Sequence, residues 1–144
     1  MITLVTAAGI AFGFGFIYFL GAIPAGAAAG APLWMAGVFA WAGYSAGSMV
    51  VLVAGAPLRD WMIRKLKVPV VRDPSKFIWR VWERWGLAGL GFLAPVTIGP
   101  QIGGILALAV GERPGRVFVF LSLGAIPWCV FFAALVGLGI KMVR

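Results

Sequence analysis

A chain of 144 residues that is 62% hydrophobic, 11% charged and of mean hydropathy +1.04 carries more apolar surface than a soluble core of 15.2 kDa can hide. That excludes a soluble globular enzyme and a disordered chain, and leaves an integral membrane protein. The net charge of +8 then reads as membrane topology and attraction to anionic head groups rather than to nucleic acid.

Residues 1–58 contain no charged side chain. The N-terminus (Met1-Ile2-Thr3-Leu4-Val5) has no basic n-region, which argues against a cleaved signal peptide. Within this block Phe19-Leu20-Gly21-Ala22-Ile23-Pro24-Ala25-Gly26 interrupts the apolar run, and an unbroken span is predicted over 33–57.

Residues 59–84 carry eight of the twelve basic residues: Arg59, Arg64, Lys65, Lys67, Arg72, Lys76, Arg80 and Arg84. A short, strongly basic loop belongs in the cytoplasm. Asp73-Pro74 reads as an N-cap followed by proline at the first helical position. After it Phe77, Ile78, Val81, Trp82 and Trp85 share one helical face and Lys76, Arg80, Glu83 and Arg84 the other, the pattern of an interfacial amphipathic helix.

Residues 85–111 are again charge-free, with Pro95, Gly99, Pro100, Gly103 and Gly104 in the middle. Each arm beside that break is about ten residues, or about 15 Å of helix, which is half a bilayer. A re-entrant hairpin has these dimensions. Arg113 and Arg116 follow, then a second unbroken span over 117–140, then Lys141 and Arg144. The chain thus reads as two copies of a broken hairpin plus a membrane helix. If each copy crosses once, the second is inverted, as in many transporters. Four ordinary spans with proline kinks are the alternative. The charges do not separate the two, because four spans leave Arg113 and Arg116 outside and hairpins leave Lys141 and Arg144 outside.

The predicted fold is therefore an all-α integral membrane protein forming one domain over 1–144. Repeat 1 covers 1–58, the basic loop with its amphipathic helix 59–85, and repeat 2 86–144. With so few helices to enclose a pathway, a homodimer in the cytoplasmic membrane is expected. Small residues at Gly9/Gly13, Gly26/Gly30, Gly43/Gly47 and Gly99/Gly103 would let helices approach closely.

The chemistry is narrowed by what is missing. There is no His and one Cys, Cys129, so no imidazole metal site, Ser/His or Cys/His pair or intrachain disulfide can form. Asp60, Asp73, Glu83 and Glu112 are too scattered for a hard-metal cage. No enzyme activity and no cofactor is expected. No ionisable side chain falls inside a membrane block, which opposes proton-coupled cation export. The polar residues at depth are Tyr18, Tyr44, Ser45, Ser48, Thr97, Gln101 and Ser122. Half-helices starting near Ala25 and Gln101 would aim their N-termini at the midplane, where free N–H groups suit an anion. Candidate binding residues are those around the breaks, Gly21, Pro24, Gly26, Pro95, Thr97, Gly99, Pro100 and Gln101, with Arg113 and Arg116 at the hairpin mouth.

The stretch Gly21-Ala22-Ile23-Pro24-Ala25-Gly26, followed by Gly30-Ala31-Pro32, resembles the opening motif of the small multidrug export protein family, grouped with DedA-like membrane proteins. Arg84-Trp85-Gly86-Leu87-Ala88-Gly89-Leu90 and the Pro/Gly-rich break at Pro95–Gly104 resemble that family's second hairpin; the likeness covers roughly residues 15–140. The chain differs in having Tyr18-Phe19-Leu20 where family members carry an acidic and a basic residue. The resemblance implies two re-entrant hairpins facing each other from opposite leaflets, and transport of a lipid phosphate or lipid. The expectation is a small transporter moving an anionic lipid head group or amphiphile by alternating access. Export of lipophilic cations, a small anion channel and a non-transporting assembly subunit are the other readings.

Overall fold

A computed structural model describes residues 2–66 and 73–143. Among them it is all-α, with short turns between the helices: α1 Ile2–Ile17, α2 Phe19–Ala28, α3 Leu33–Val53, α4 Gly55–Leu66, α5 Phe77–Thr97, α6 Gly99–Ala109 and α7 Pro114–Val143. Two of these, α3 and α7, are long and apolar enough to cross a membrane. Lys67 and Arg72 of the basic loop, Met1 and Arg144 lie outside the described residues.

Small residues line much of the inside, beside larger buried ones such as Ile23, Tyr44, Leu90 and Leu121, while many large apolar side chains face outward. Ala7 and Ala11 of α1, Ala22 of α2, Ala36 and Ala40 of α3 and Ala94 of α5 are buried. Val5, Ile17, Trp34, Val53, Leu123, Val130 and Met142 are exposed. Close backbone approach and dispersion hold such a bundle together, because a small side chain leaves the neighbouring helix room. The tightest approaches are made by glycine. A Cβ on Gly15 would strike the carbonyl of Ala40, and one on Gly43 that of Phe12, where α1 crosses α3. In the same way Gly91 lies against the Phe120 carbonyl and Gly124 against the Gly91 carbonyl, where α5 crosses α7. Pro95 has no N–H to offer the Gly91 carbonyl one turn back, and Gly124 of α7 lies against that carbonyl.

The helices α3 and α7 run antiparallel. Leu33, at the start of α3, touches Gly137 near the end of α7, and the Trp41 indole N–H donates to the Ser122 carbonyl at 2.8 Å. The opposite end of α3 gathers the other elements. Val51 packs in one cluster with Trp79 of α5 and Ile105 and Leu106 of α6; Ile63 of α4 and Val110 pack against it.

Four sequence expectations need correction here. The helix α4 takes in the end of the span expected over 33–57 and the start of the expected basic loop; Pro57 falls in its first turn, where a proline has no helical hydrogen bond to lose. Asp73 caps no helix. Its carboxylate accepts the Ser75 N–H at 3.0 Å and the Ser75 hydroxyl at 2.6 Å, closing a turn, and α5 starts four residues later behind Lys76. The hydrogen bonds from the Ser75 hydroxyl and N–H, with the nearby Lys76 charge, hold the Asp73 carboxyl below its ordinary value of 3.8. The apolar face of 77–85 is divided. Trp79 is buried and Ile78 and Trp82 half-buried against the bundle, Val81 is buried over Gly89 of its own helix, and Phe77 and Trp85 stay exposed. The amphipathic part of α5 ends at Gly86, whose φ of 59° and ψ of −144° turn the chain sharply into the apolar part. The long apolar helices cover 33–53 and 114–143 rather than the expected 33–57 and 117–140.

Candidate functional site

Each apolar helix pair is interrupted at one residue. Tyr18 (φ −145°, ψ 87°) separates α1 from α2, and Ile98 (φ −120°, ψ −9°) separates α5 from α6. The second break lies where the sequence put it. Gly99 adopts φ 76°, a left-handed conformation suited to glycine, and Pro100 follows in the first turn of α6, where its ring fits. The first lies upstream of its expected place. Pro24 is inside α2, and the half-helix starts at Phe19 rather than near Ala25. Pro24 has no N–H for the Leu20 carbonyl one turn back, and the chain leaves helical geometry at Tyr18, just before that turn.

The two breaks lie side by side. The Gln101 amide nitrogen donates to the Phe16 carbonyl, bridging the first turn of α6 to the last turn of α1. Both press on Gly47 of α3: a Cβ there would lie 2.9 Å from Gln101 Nε2, 3.0 Å from the Phe16 oxygen and 3.0 Å from Pro100 Cγ. One turn earlier on α3, the Tyr44 ring meets the Phe19 ring edge-on at 5.3 Å, just past the first break. The turn of α3 from Gly43 to Ser48 is thus the place about which both breaks gather.

Four carbonyls near the ends of α1 and α5 have partners: Phe16 in Gln101, Phe14 in the Tyr18 N–H at 2.6 Å, Leu93 in the Thr97 hydroxyl at 2.7 Å and Ala94 in the Ile98 N–H at 3.2 Å. The N-termini of α2 and α6 have no side-chain cap. Helix N-termini carry a partial positive charge; in the first turn of α2 the Gly21 N–H is taken by the Tyr18 carbonyl at 3.2 Å, and in that of α6 Pro100 has no N–H, which leaves the remaining first-turn amides without a side-chain cap. Beside this, on α3, the buried hydroxyls of Tyr44 and Ser45 have no hydrogen-bond partner among the described residues, while Ser48 donates to the Ser45 carbonyl at 2.8 Å; the Ser122 hydroxyl on α7, whose own carbonyl meets Trp41, is likewise unpartnered. An unpartnered buried polar group costs about 1–3 kcal/mol, which a polar ligand or water would recover.

The other expected site residues are dispersed. Gly21 packs against the Phe14 and Tyr18 rings, and Gly26 lies farther along α2 against Ala11 and Ala36. Pro95 is buried in α5. Thr97 is exposed, with its hydroxyl turned back onto its own helix. Arg113 and Arg116 lie beyond the far end of α6, about 16 Å of helix from the break. Arg116 approaches Glu112 at 3.4 Å, an exposed pair of little energetic weight. Among the described residues no group of three His, Cys, Asp or Glu side chains comes together as a metal site.

The sequence reading did name Tyr44, Ser45, Ser48 and Ser122 as polar at depth, but gave no reason to join them to the breaks. Gly47 is visible in sequence only as half of a small-residue pair, and the Phe16 carbonyl belongs to an apolar side chain that carries no signal. No known protein family, curated protein or solved structure matches the chain.

Proposed function

We propose that this chain is a multi-pass protein of the cytoplasmic membrane, a small carrier of the DedA-like type that moves an anionic lipid head group or similar amphiphile across the bilayer. The observation that carries the reading is the meeting of the two breaks: Gln101 bridges them, the half-helices that follow have no side-chain N-cap, and the buried Tyr44 and Ser45 hydroxyls beside them are unpartnered, with no acidic or basic side chain among them. Such a place offers donors to a phosphate without a buried countercharge to hold it fast. The apolar exterior supports the membrane setting, since a soluble monomer rarely exposes so much large apolar surface.

The paired crossings support two inverted units of related build. In one, α1 meets α3 through Gly15 and Gly43; in the other, α5 meets α7 through Gly91 and Gly124. In this reading α1–α2 and α5–α6 enter from opposite faces, meet tip to tip at Gln101 and Phe16, and rock about α3 and α7 to alternate access. Two copies would complete the wall around the pathway.

The test is transport of a fluorescent polyprenyl phosphate across vesicles containing the purified protein. Wild type should move it from the outer to the inner leaflet, and Gln101→Leu should slow it about tenfold or more. Equal rates in vesicles with and without the protein would refute the reading. A second reading, export of small lipophilic molecules, draws on an apolar groove of about 320 Å³ between α3 and α7, lined by Trp34, Gly37, Trp41, Cys129 and Ala133. Protein-dependent ethidium movement without phosphate-lipid movement would favour it.

A further inference from the structure

We propose that the outward stripe of the first part of α5 is a binding site for the head group of an anionic phospholipid, distinct from the place where the breaks meet. Phe77, Arg80, Val81, Arg84 and Trp85 line an open hollow of about 360 Å³. Their spacing, i, i+3, i+4, i+7 and i+8, is one face of one helix. The opposite face is already used: Trp79 is buried and Ile78 and Trp82 are half-buried against the Val51–Ile105–Leu106 cluster. The helix is therefore held by the protein and not by the bilayer, and the stripe it presents outward is free for a ligand. Arg80 and Arg84 are exposed one turn apart, and neither forms an ion pair among the described residues, although Glu83 is adjacent in sequence. Phe77 and Trp85, 55% and 66% exposed, flank them.

The chemistry favours one occupant. Guanidinium forks match the oxygens of a phosphodiester and keep their charge at every physiological pH. Aromatic rings on either side suit the head-group layer, where an amphipathic ring has one side apolar and one side wet. The position is right as well, since Gly86 then turns the chain into the apolar half of α5. Val81 and Trp85 both lie over Gly89 just beyond that turn, so the aromatic end of the hollow is braced by the segment it precedes. A lipid seated here would have its phosphate on Arg80 and Arg84 and its glycerol between Phe77 and Trp85. The inference rests on the membrane setting proposed above, not on transport.

Native mass spectrometry of the protein released from nanodiscs of mixed phosphatidylglycerol and phosphatidylcholine reads the site. Wild type should retain phosphatidylglycerol in preference, and Arg80→Gln/Arg84→Gln should lower that preference by about thirtyfold. Phe77→Ala/Trp85→Ala, which leaves the charges in place, should lower it less. Inorganic phosphate should not displace the retained lipid; displacement would assign the hollow to free phosphate instead. Arg64→Gln/Lys65→Gln, which removes two charges from α4, should leave the preference intact. An equal loss in that variant would show general charge attraction and overturn the site, as would an unchanged preference in Arg80→Gln/Arg84→Gln. Gln101→Leu should keep the lipid preference whatever it does to transport, so failure of the carrier reading and failure of this site are separable.

Discussion

At the first turn of α6, Gln101 spends its amide N–H on a carbonyl of another helix. Leucine has a similar volume and no donor, so Gln101→Leu should leave the half-buried Phe16 carbonyl unpaired and cost about 1–3 kcal/mol. Thermal melts in detergent would read this, and an unchanged melting temperature would mean that the contact does not form. Thr97 differs. Its hydroxyl serves its own helix at an exposed position, so Thr97→Val should change transport much less than Gln101→Leu. Asp73 carries the acid sensitivity of the turn before α5. Its folded carboxyl lies below its ordinary value, so its contribution is full above the unfolded pKa and is lost as pH falls through the folded one. Hydrogen-exchange protection at the Ser75 amide should therefore hold at neutral pH, decline on acidification and be missing in Asp73→Ala. Protection that ignores both would refute this.

At the scale of the element, Gly86 and Gly47 decide how helices are placed. The Gly86 backbone, at φ 59° and ψ −144°, suits only glycine, and Gly86→Ala should cost about 1–3 kcal/mol. Open space around its missing Cβ means that the cost would be backbone strain and not a clash. Gly47→Ala is the converse case. Its backbone is ordinary helix, but the added Cβ would crowd Gln101, Pro100 and the Phe16 carbonyl at 2.9–3.0 Å. Overpacking by about 1–3 kcal/mol and a coupled loss of the Gln101 effect are expected. A double-mutant cycle of Gly47→Ala with Gln101→Leu measures the coupling, and strict additivity would show that the two positions do not share a contact.

For the whole molecule, the question is on which side each segment lies. The cluster of Val51, Ile63, Trp79, Leu106 and Val110 brings α4, the first part of α5 and the end of α6 to one end of the bundle. Re-entrant pairing therefore predicts that residues 75 and 115 face the same compartment. Single cysteines at Ser75 and Gly115, in a chain carrying Cys129→Ser, should react with an impermeant maleimide from one side of oriented vesicles. A cysteine at Thr3 should react from the other side. Labelling of 75 and 115 from opposite sides would establish four ordinary spans and end the tip-to-tip carrier reading.

Charge-free blocks, helical class and the second break were legible because each depends on local terms. Lipid excludes charge residue by residue, and Gly99-Pro100 constrains its own backbone. The first break, the helix α4 and the buried face of α5 were not. Tyr18 carries no breaking residue, Pro57 stops nothing when it sits in a first turn, and Trp79 is an anchor only because Val51, Ile105 and Leu106 are there to receive it. The candidate site was legible as a set of polar residues in an apolar chain. Its composition was decided by contacts across the fold, where a glycine on α3 admits Gln101 to a carbonyl of α1. The sequence alone determined that this chain is helical, apolar and interrupted. Only the tertiary structure decided which interruptions touch, because helix approach depends on small residues meeting from distant parts of the chain, and no local pattern encodes that meeting.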